Sequence, residues 1–146
     1  MKEFKRPDLA FRFAVPFIRF GEFDMAGVLY HGNYFHLYEN VRELLFRNAN
    51  LPYDRYASND QHMAITETQQ NFIGPLYYGQ SYTLYLWAEV IKKTNVILCY
   101  EIEDSEHKIV HRAYTKMAFV AKEKDSFRVS SMPAELIRLF QSIENK

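Results

Sequence analysis

Residues 20–48 read FGEFDMAGVLYHGNYFHLYENVRELLFRN, so a small-residue turn, a lone acid and a long amphipathic segment follow one another without a break. Apolar or aromatic side chains recur at Tyr34, Leu37, Tyr38, Val41, Leu44, Leu45 and Ala49. That i, i+3, i+4, i+7 spacing buries one face of a helix. His36, Glu39, Asn40, Arg42, Glu43 and Arg47 fall on the opposite, polar side. The segment therefore predicts a helix over about 33–48, with Asn33 as N-cap, a Glu43–Arg47 i, i+4 pair, and Pro52 barring continuation. Asp24, Ala26 and Gly27 come just before it, which sets a carboxylate near a helix N-terminus whose first N–H groups lack intrahelical acceptors. Such a place can hold a reacting carbonyl group.

On either side of this segment the texture is that of strands. Residues 10–20 alternate apolar positions with Arg12 and Arg19 and predict a strand, which Pro16 interrupts or confines to an edge. Residues 21–29 form a loop, and residues 51–61 a connection. Residues 63–72 alternate in polarity and end at Gly74 and Pro75, a turn signal. Over 81–91, Tyr82, Leu84, Leu86, Ala88 and Val90 oppose Thr83, Tyr85, Trp87 and Glu89, giving one apolar and one mixed face. A hairpin turn at 92–95 leads to strands over 96–103 and 109–121, joined by the polar stretch 104–108. Residues 122–131 are polar and irregular, and Ser131 with Pro133 opens a final helix over 134–143. About five strands, four of them consecutive, predict an antiparallel sheet in an α+β protein. One long helix followed by a four-strand meander predicts a sheet wrapped around the helix's apolar face. Such a chain leaves an aromatic edge and face open, which dimerisation would cover.

Composition narrows the function classes. A chain of 146 residues has the length of one domain, 1–146, and can bury roughly two-thirds of its unfolded surface. Eighteen basic and eighteen acidic residues leave a net charge of +0, without the positive field that nucleic-acid binding uses. The one cysteine, Cys99, rules out an intrachain disulfide and suits a reducing compartment. No apolar run reaches the ~20 residues of a membrane span, and the N-terminus lacks the features of a secretory signal, so the expected location is cytoplasmic. Tyr and Phe number 11 and 12 although mean hydropathy is −0.34, so aromatic surface should gather in strands, a pocket or a subunit interface.

The run Phe23-Asp24-Met25-Ala26-Gly27-Val28-Leu29-Tyr30-His31-Gly32-Asn33-Tyr34, continued by Tyr38-Glu39 and Arg42, resembles the signature of hotdog-fold acyl-CoA thioesterases of the 4-hydroxybenzoyl-CoA thioesterase class. It is close to the small acyl-CoA thioesterases associated with the Tol-Pal system. Phe72-x-x-Pro75-Leu76-x-x-Gly79 and the stretch from Arg128 to Pro133 extend the match over nearly the whole chain. The resemblance implies a hotdog fold, with the sheet around one long central helix and a short C-terminal helix, and thioester hydrolysis without a cofactor or metal. It implies Asp24 as general base or nucleophile, and an oxyanion hole of backbone N–H groups at His31 and Gly32. Tyr30, Asn33, Tyr34 and Gly27 are the expected substrate-binding residues, with acyl-CoA or an acyl-carrier protein as partner and a homodimer or homotetramer as the assembly.

Other readings stay open: a hotdog hydratase or dehydratase, and an acyl-CoA or acyl-carrier binding module without catalysis. An Asp before a helix is otherwise a cap or turn residue, and Glu39 is expected to pair with Arg42. His62, His107 and His111 lack metal-ligand spacing and read as ordinary strand or loop residues. Cys99 reads as a buried thiol. Lys92, Lys93, Arg112, Lys116 and Arg128 are candidates for the phosphates of coenzyme A. Tyr77-Tyr78-Gly79-Gln80 departs from the family pattern, which usually has an acid after the glycine.

Overall fold

The computed structural model describes residues 3–146; Met1 and Lys2, included in the expected domain span 1–146, lie outside the described residues. Strand β1 (Phe11–Ala14) leads through a 3-10 turn (Phe20–Glu22), the Asp24 loop and a second 3-10 turn (His31–Asn33) into helix α1 (Tyr34–Asn48). Then come a short helix α2 (Tyr53–Ala57), strands β2 (Gln61–Phe72), β3 (Tyr82–Ile91), β4 (Asn95–Asp104), β5 (Ile109–Glu123) and β6 (Ser126–Val129), and helix α3 (Ala134–Gln141).

Helix α1 forms where the apolar period placed it and buries Tyr34, Leu37, Tyr38, Val41, Leu45 and Phe46. At roughly 1.5–3 kcal/mol for each fully buried large apolar side chain, this stripe dominates the helix's stability. It ends at Asn50, whose positive φ of 57° turns the chain while Leu51 N–H donates to the Phe46 carbonyl at 2.9 Å, ahead of Pro52. Asn33 supplies no side-chain cap, because the preceding 3-10 turn already occupies the helix start.

The sheet is antiparallel with order β1-β3-β4-β5-β2, and β6 pairs with the end of β5 beyond the reach of β4. The expected four-strand meander is thus corrected. β2 pairs with β5, not with β3, because the long 73–81 connection crosses the mouth of the sheet and β3 has β1 on its free side. In β4, Leu98, Tyr100 and Ile102 face inward against α1, while Cys99, Glu101 and Glu103 face outward. Cys99 is buried there, as expected, and burial pushes its thiol up.

The first strand is only four residues long and stops before Pro16. The five-residue helix α2 and the strand β6 fall inside stretches expected to be irregular. On the outer face Arg6 forms ion pairs with Glu101 at 3.0 Å and Glu103 at 2.6 Å, and lies over the Tyr85 ring at 3.7 Å. The N-terminal segment is thereby pinned across β3 and β4. No helix among the described residues is long and apolar enough to cross a membrane.

Candidate active site

Asp24 sits in a loop that its own side chain closes. Phe23 bridges Leu29, Asp24 N–H donates to the Val28 carbonyl at 2.9 Å, and Gly27 N–H donates to the Asp24 carbonyl at 3.0 Å. Asp24 Oδ1 accepts the Ala26 N–H at 2.8 Å and the Val28 N–H at 3.4 Å. Two backbone donors therefore fix one carboxylate oxygen, while Oδ2 accepts no hydrogen bond from the described residues. Gly27 makes the turn possible with a φ of 77°; a Cβ there would meet nothing within 4 Å, so the constraint is the backbone angle and not space. The loop is tied to the β2–β3 connection by Leu29 N–H, which donates to the Leu76 carbonyl at 2.8 Å.

Past Leu29 the chain enters the helical run. Tyr30 N–H and Asn33 N–H find acceptors in the Glu22 and Tyr30 carbonyls, but the N–H groups of His31 and Gly32 donate to no acceptor among the described residues. These are the leading donors of the run that becomes α1, at the positive end of its dipole. Asp24, His31 and Tyr34 meet the segment from Phe72 to Pro75 around an open cleft of about 260 Å³. A carboxylate oxygen and unpartnered N–H donors at one cleft are the parts that addition to a polarised carbonyl requires.

Of the predicted site residues, Asp24, His31 and Tyr34 line this cleft, whereas Gly27, Tyr30, Gly32 and Asn33 do not. A Cβ on Gly32 would meet the Tyr30 ring at 3.0 Å, so that ring would have to shift. Tyr30 is exposed and its ring lies 4.2 Å from that of His31. The Asn33 side chain turns away, donating to the Glu22 carbonyl at 2.8 Å. Glu39 and Arg42 make no ion pair, contrary to expectation: Glu39 is exposed, whereas Arg42 is buried and its Nη1 donates to the Tyr100 hydroxyl at 2.9 Å. The five candidate phosphate ligands are spread over the β3–β4 turn, β5 and β6, and Arg112 and Arg128 are ion-paired with Glu101 and Glu123. Among the described residues no cluster of three or more His, Cys, Asp or Glu side chains fits a metal ion.

One residue beneath the cleft, His111, reads from the sequence as an ordinary strand or loop residue. His111 is fully buried on the inner face of β5, stacked on the Tyr34 ring at 4.1 Å and met edge-on by Phe72 at 4.8 Å. The Tyr38 hydroxyl, itself raised well above the ordinary tyrosine value by burial, is hydrogen-bonded to Nδ1, and Nε2 has no partner. Burial holds the imidazole pKa down to about 3, so the ring is neutral. Its signal in the sequence was phase: His111 alternates in step with Ala113, Thr115 and Met117, all buried.

A family model described as the thioesterase-like superfamily matches residues 18–140, most of the chain and all of this site. The chain belongs to the thioesterase-like superfamily. Membership makes it an enzyme of thioester hydrolysis, and the hotdog fold is shared with solved members. It is similar to a protein of Aquifex aeolicus (strain VF5) named "Putative esterase", 24% identical over 85% of this chain and 93% of that one. Among solved structures it resembles the dynemicin thioesterase with a TM-score of 0.86 at 11% identity, covering 94% of this chain and 99% of that one. It also resembles the 4-hydroxybenzoyl-CoA thioesterase from Pseudomonas sp. strain CBS-3, with a TM-score of 0.78 at 18% identity over 92% and 99% of the two chains.

Proposed function

We propose that this thioesterase hydrolyses acyl-CoA thioesters to a free carboxylic acid and coenzyme A, with Asp24 as the reacting carboxylate. The observation that carries the reading is the Asp24 carboxylate, held by two backbone donors through Oδ1 with Oδ2 left open, in a cleft also lined by His31, whose N–H, like that of Gly32, has no acceptor among the described residues. As general base, Asp24 takes a proton from water while the water oxygen adds to the carbonyl carbon. The oxyanion accepts hydrogen bonds from the two N–H groups; on collapse the C–S bond breaks and the thiolate recovers the proton. As nucleophile, the same carboxylate forms an acyl anhydride with loss of thiolate, and water then cleaves it. Trapping the acyl–Asp24 anhydride with hydroxylamine separates the two routes, since only the second forms it; ¹⁸O from water enters Asp24 under single turnover only if water attacks the Asp24 side of that anhydride.

The working unit is a homodimer. β2 is twelve residues long, pairs on one side with β5, and exposes Ile65 through Gln69 along its other edge. A long open edge of this kind invites a second copy, and an antiparallel β2–β2 pairing gives a closed two-fold contact.

Asp24→Asn is the direct test. With folding checked by circular dichroism, kcat for an acyl-CoA the wild type accepts should fall by at least about a hundredfold. Retained turnover would sink the assignment of Asp24.

A further inference from the structure

A second cavity, of about 340 Å³, opens at the other end of the groove between α1 and β2. Its walls are apolar and aromatic, from Phe46, Tyr56, Met63, Met117 and Phe119, with one buried cation, Arg42. Arg42 is only 7% exposed and has no carboxylate within ion-pairing distance among the described residues. Its hydrogen-bond partners are two neutral phenols, the Tyr100 and Tyr53 hydroxyls, and its Nε–H has none. Glu39 and His62 also border the cavity, but neither is bonded to the guanidinium. A buried guanidinium with a spare donor and no counter-anion is costly unless something else completes it. A planar donor fork in an aromatic pocket is matched by an oxygen acceptor, best of all a carboxylate.

Along β2 this cavity is far from the catalytic cleft of its own chain, since it touches Gln61–Ile65 whereas the Asp24 cleft begins at Phe72, about 23 Å on along an extended strand; along α1 the two are nearer, with Arg42 eight residues, or about 12 Å, from Tyr34. Pairing β2 antiparallel with a second copy reverses the direction, so the 61–65 end of one chain comes beside the 72 end of the other. Such a pairing would bring the Arg42 cavity of one protomer toward the Asp24 cleft of its partner.

We propose that the Arg42 cavity receives the far end of the acyl group, and that this end carries an oxygen acceptor, carboxylate or hydroxyl, held by the Arg42 guanidinium. The inference rests on the thioesterase reading above and names its substrate class. Met63 and Met117 cover the apolar body of the acyl group.

The test compares acyl-CoAs of equal length that differ only at the far end: octanoyl-CoA against suberoyl-CoA, and 4-methylbenzoyl-CoA against its 4-hydroxy and 4-carboxy counterparts. The expected result is a ten- to hundredfold higher kcat/KM for oxygen-ended substrates, carried mainly by KM, and a ratio within about twofold of unity in Arg42→Met. Arg42→Lys, which keeps the charge without the fork, should fall between; it decides the matter if the Met variant does not fold. Equilibrium binding of the same thioesters to Asp24→Asn gives a readout independent of turnover. Hydrolysis without preference for the oxygen-ended members, or a preference that survives in Arg42→Met, overturns the inference and leaves the thioesterase reading intact. Preferential binding with no hydrolysis by the wild type overturns that reading and leaves the Arg42 assignment standing.

Discussion

Strand β4 meets an arginine on each of its two faces, and the two are treated differently. Glu101 and Glu103, on the outer face, hold Arg6 between two carboxylates, and Arg112 adds a further 3.0 Å ion pair to Glu101. Tyr100, between them in sequence and on the inner face, offers Arg42 a phenol and no charge. His111, also inward-facing, is likewise left with a partnerless nitrogen. On the outer face both arginines meet carboxylates, although Arg6 Nη1 makes no well-aligned hydrogen bond. On the inner face Arg42 meets none, and this face borders both cavities.

The largest departure from this contrast should come from acid. An unfolded histidine binds a proton near pH 6.5, whereas burial holds the His111 imidazole down to about 3. Below pH 6.5 the unfolded chain takes up a proton that the folded chain refuses. The stability that His111 supplies is therefore complete above pH 6.5 and is lost as pH falls toward 3, by up to about 4–5 kcal/mol. Urea unfolding between pH 7 and 4 should show the wild type losing about one proton's worth of stability per pH unit more than His111→Phe. Parallel curves would mean that the imidazole is already hydrated or charged in the native state.

The two arginines themselves come next. Arg6→Met leaves the buried Glu103 carboxylate with only the Tyr85 hydroxyl at 3.4 Å and His107 Nδ1 at 3.5 Å, and should cost about 3 kcal/mol, a fall in Tm of roughly 10 °C. Arg42→Met strands no carboxylate, since its partners are phenols, and fills the same volume with apolar atoms. Its Tm should stay within a few degrees of the wild type or rise. Equal losses in a thermal melt would show that Arg42 is a structural residue like Arg6.

The same contrast explains what could be read in the sequence. The turn at Asp24 was legible because it is local: the acid, its turn glycine and the helix start lie within eleven residues, and their hydrogen bonds join positions two to four apart. The helix was legible by its period. Arg42 was not, because its meaning depends on Tyr53 and on Tyr100, 58 positions away. Helical spacing suggested a Glu39 pair that the burial of one and exposure of the other forbids. The order of the sheet was missed for a similar reason, since β2 and β5 meet only after the whole meander between them is in place. Helix α2 is too short to show a period, and all four residues of β6 are exposed, so no alternation of polarity marked it.

The smallest effect is expected at His31, which lies on neither face of the sheet but at the exposed rim of the cleft. Its ring lies against Tyr30 and accepts no hydrogen bond from the described residues, while its backbone N–H points the open donor of the helix start. If the N–H is the working group, His31→Ala keeps the donor and removes only the ring. Its kcat should then fall by less than about tenfold, with no new pH dependence between 6 and 8, whereas a loss like that of Asp24→Asn would assign the proton transfer to the imidazole. The exposed rim would then hold an acid–base pair, and an exposed histidine would be acting where the buried His111 does not.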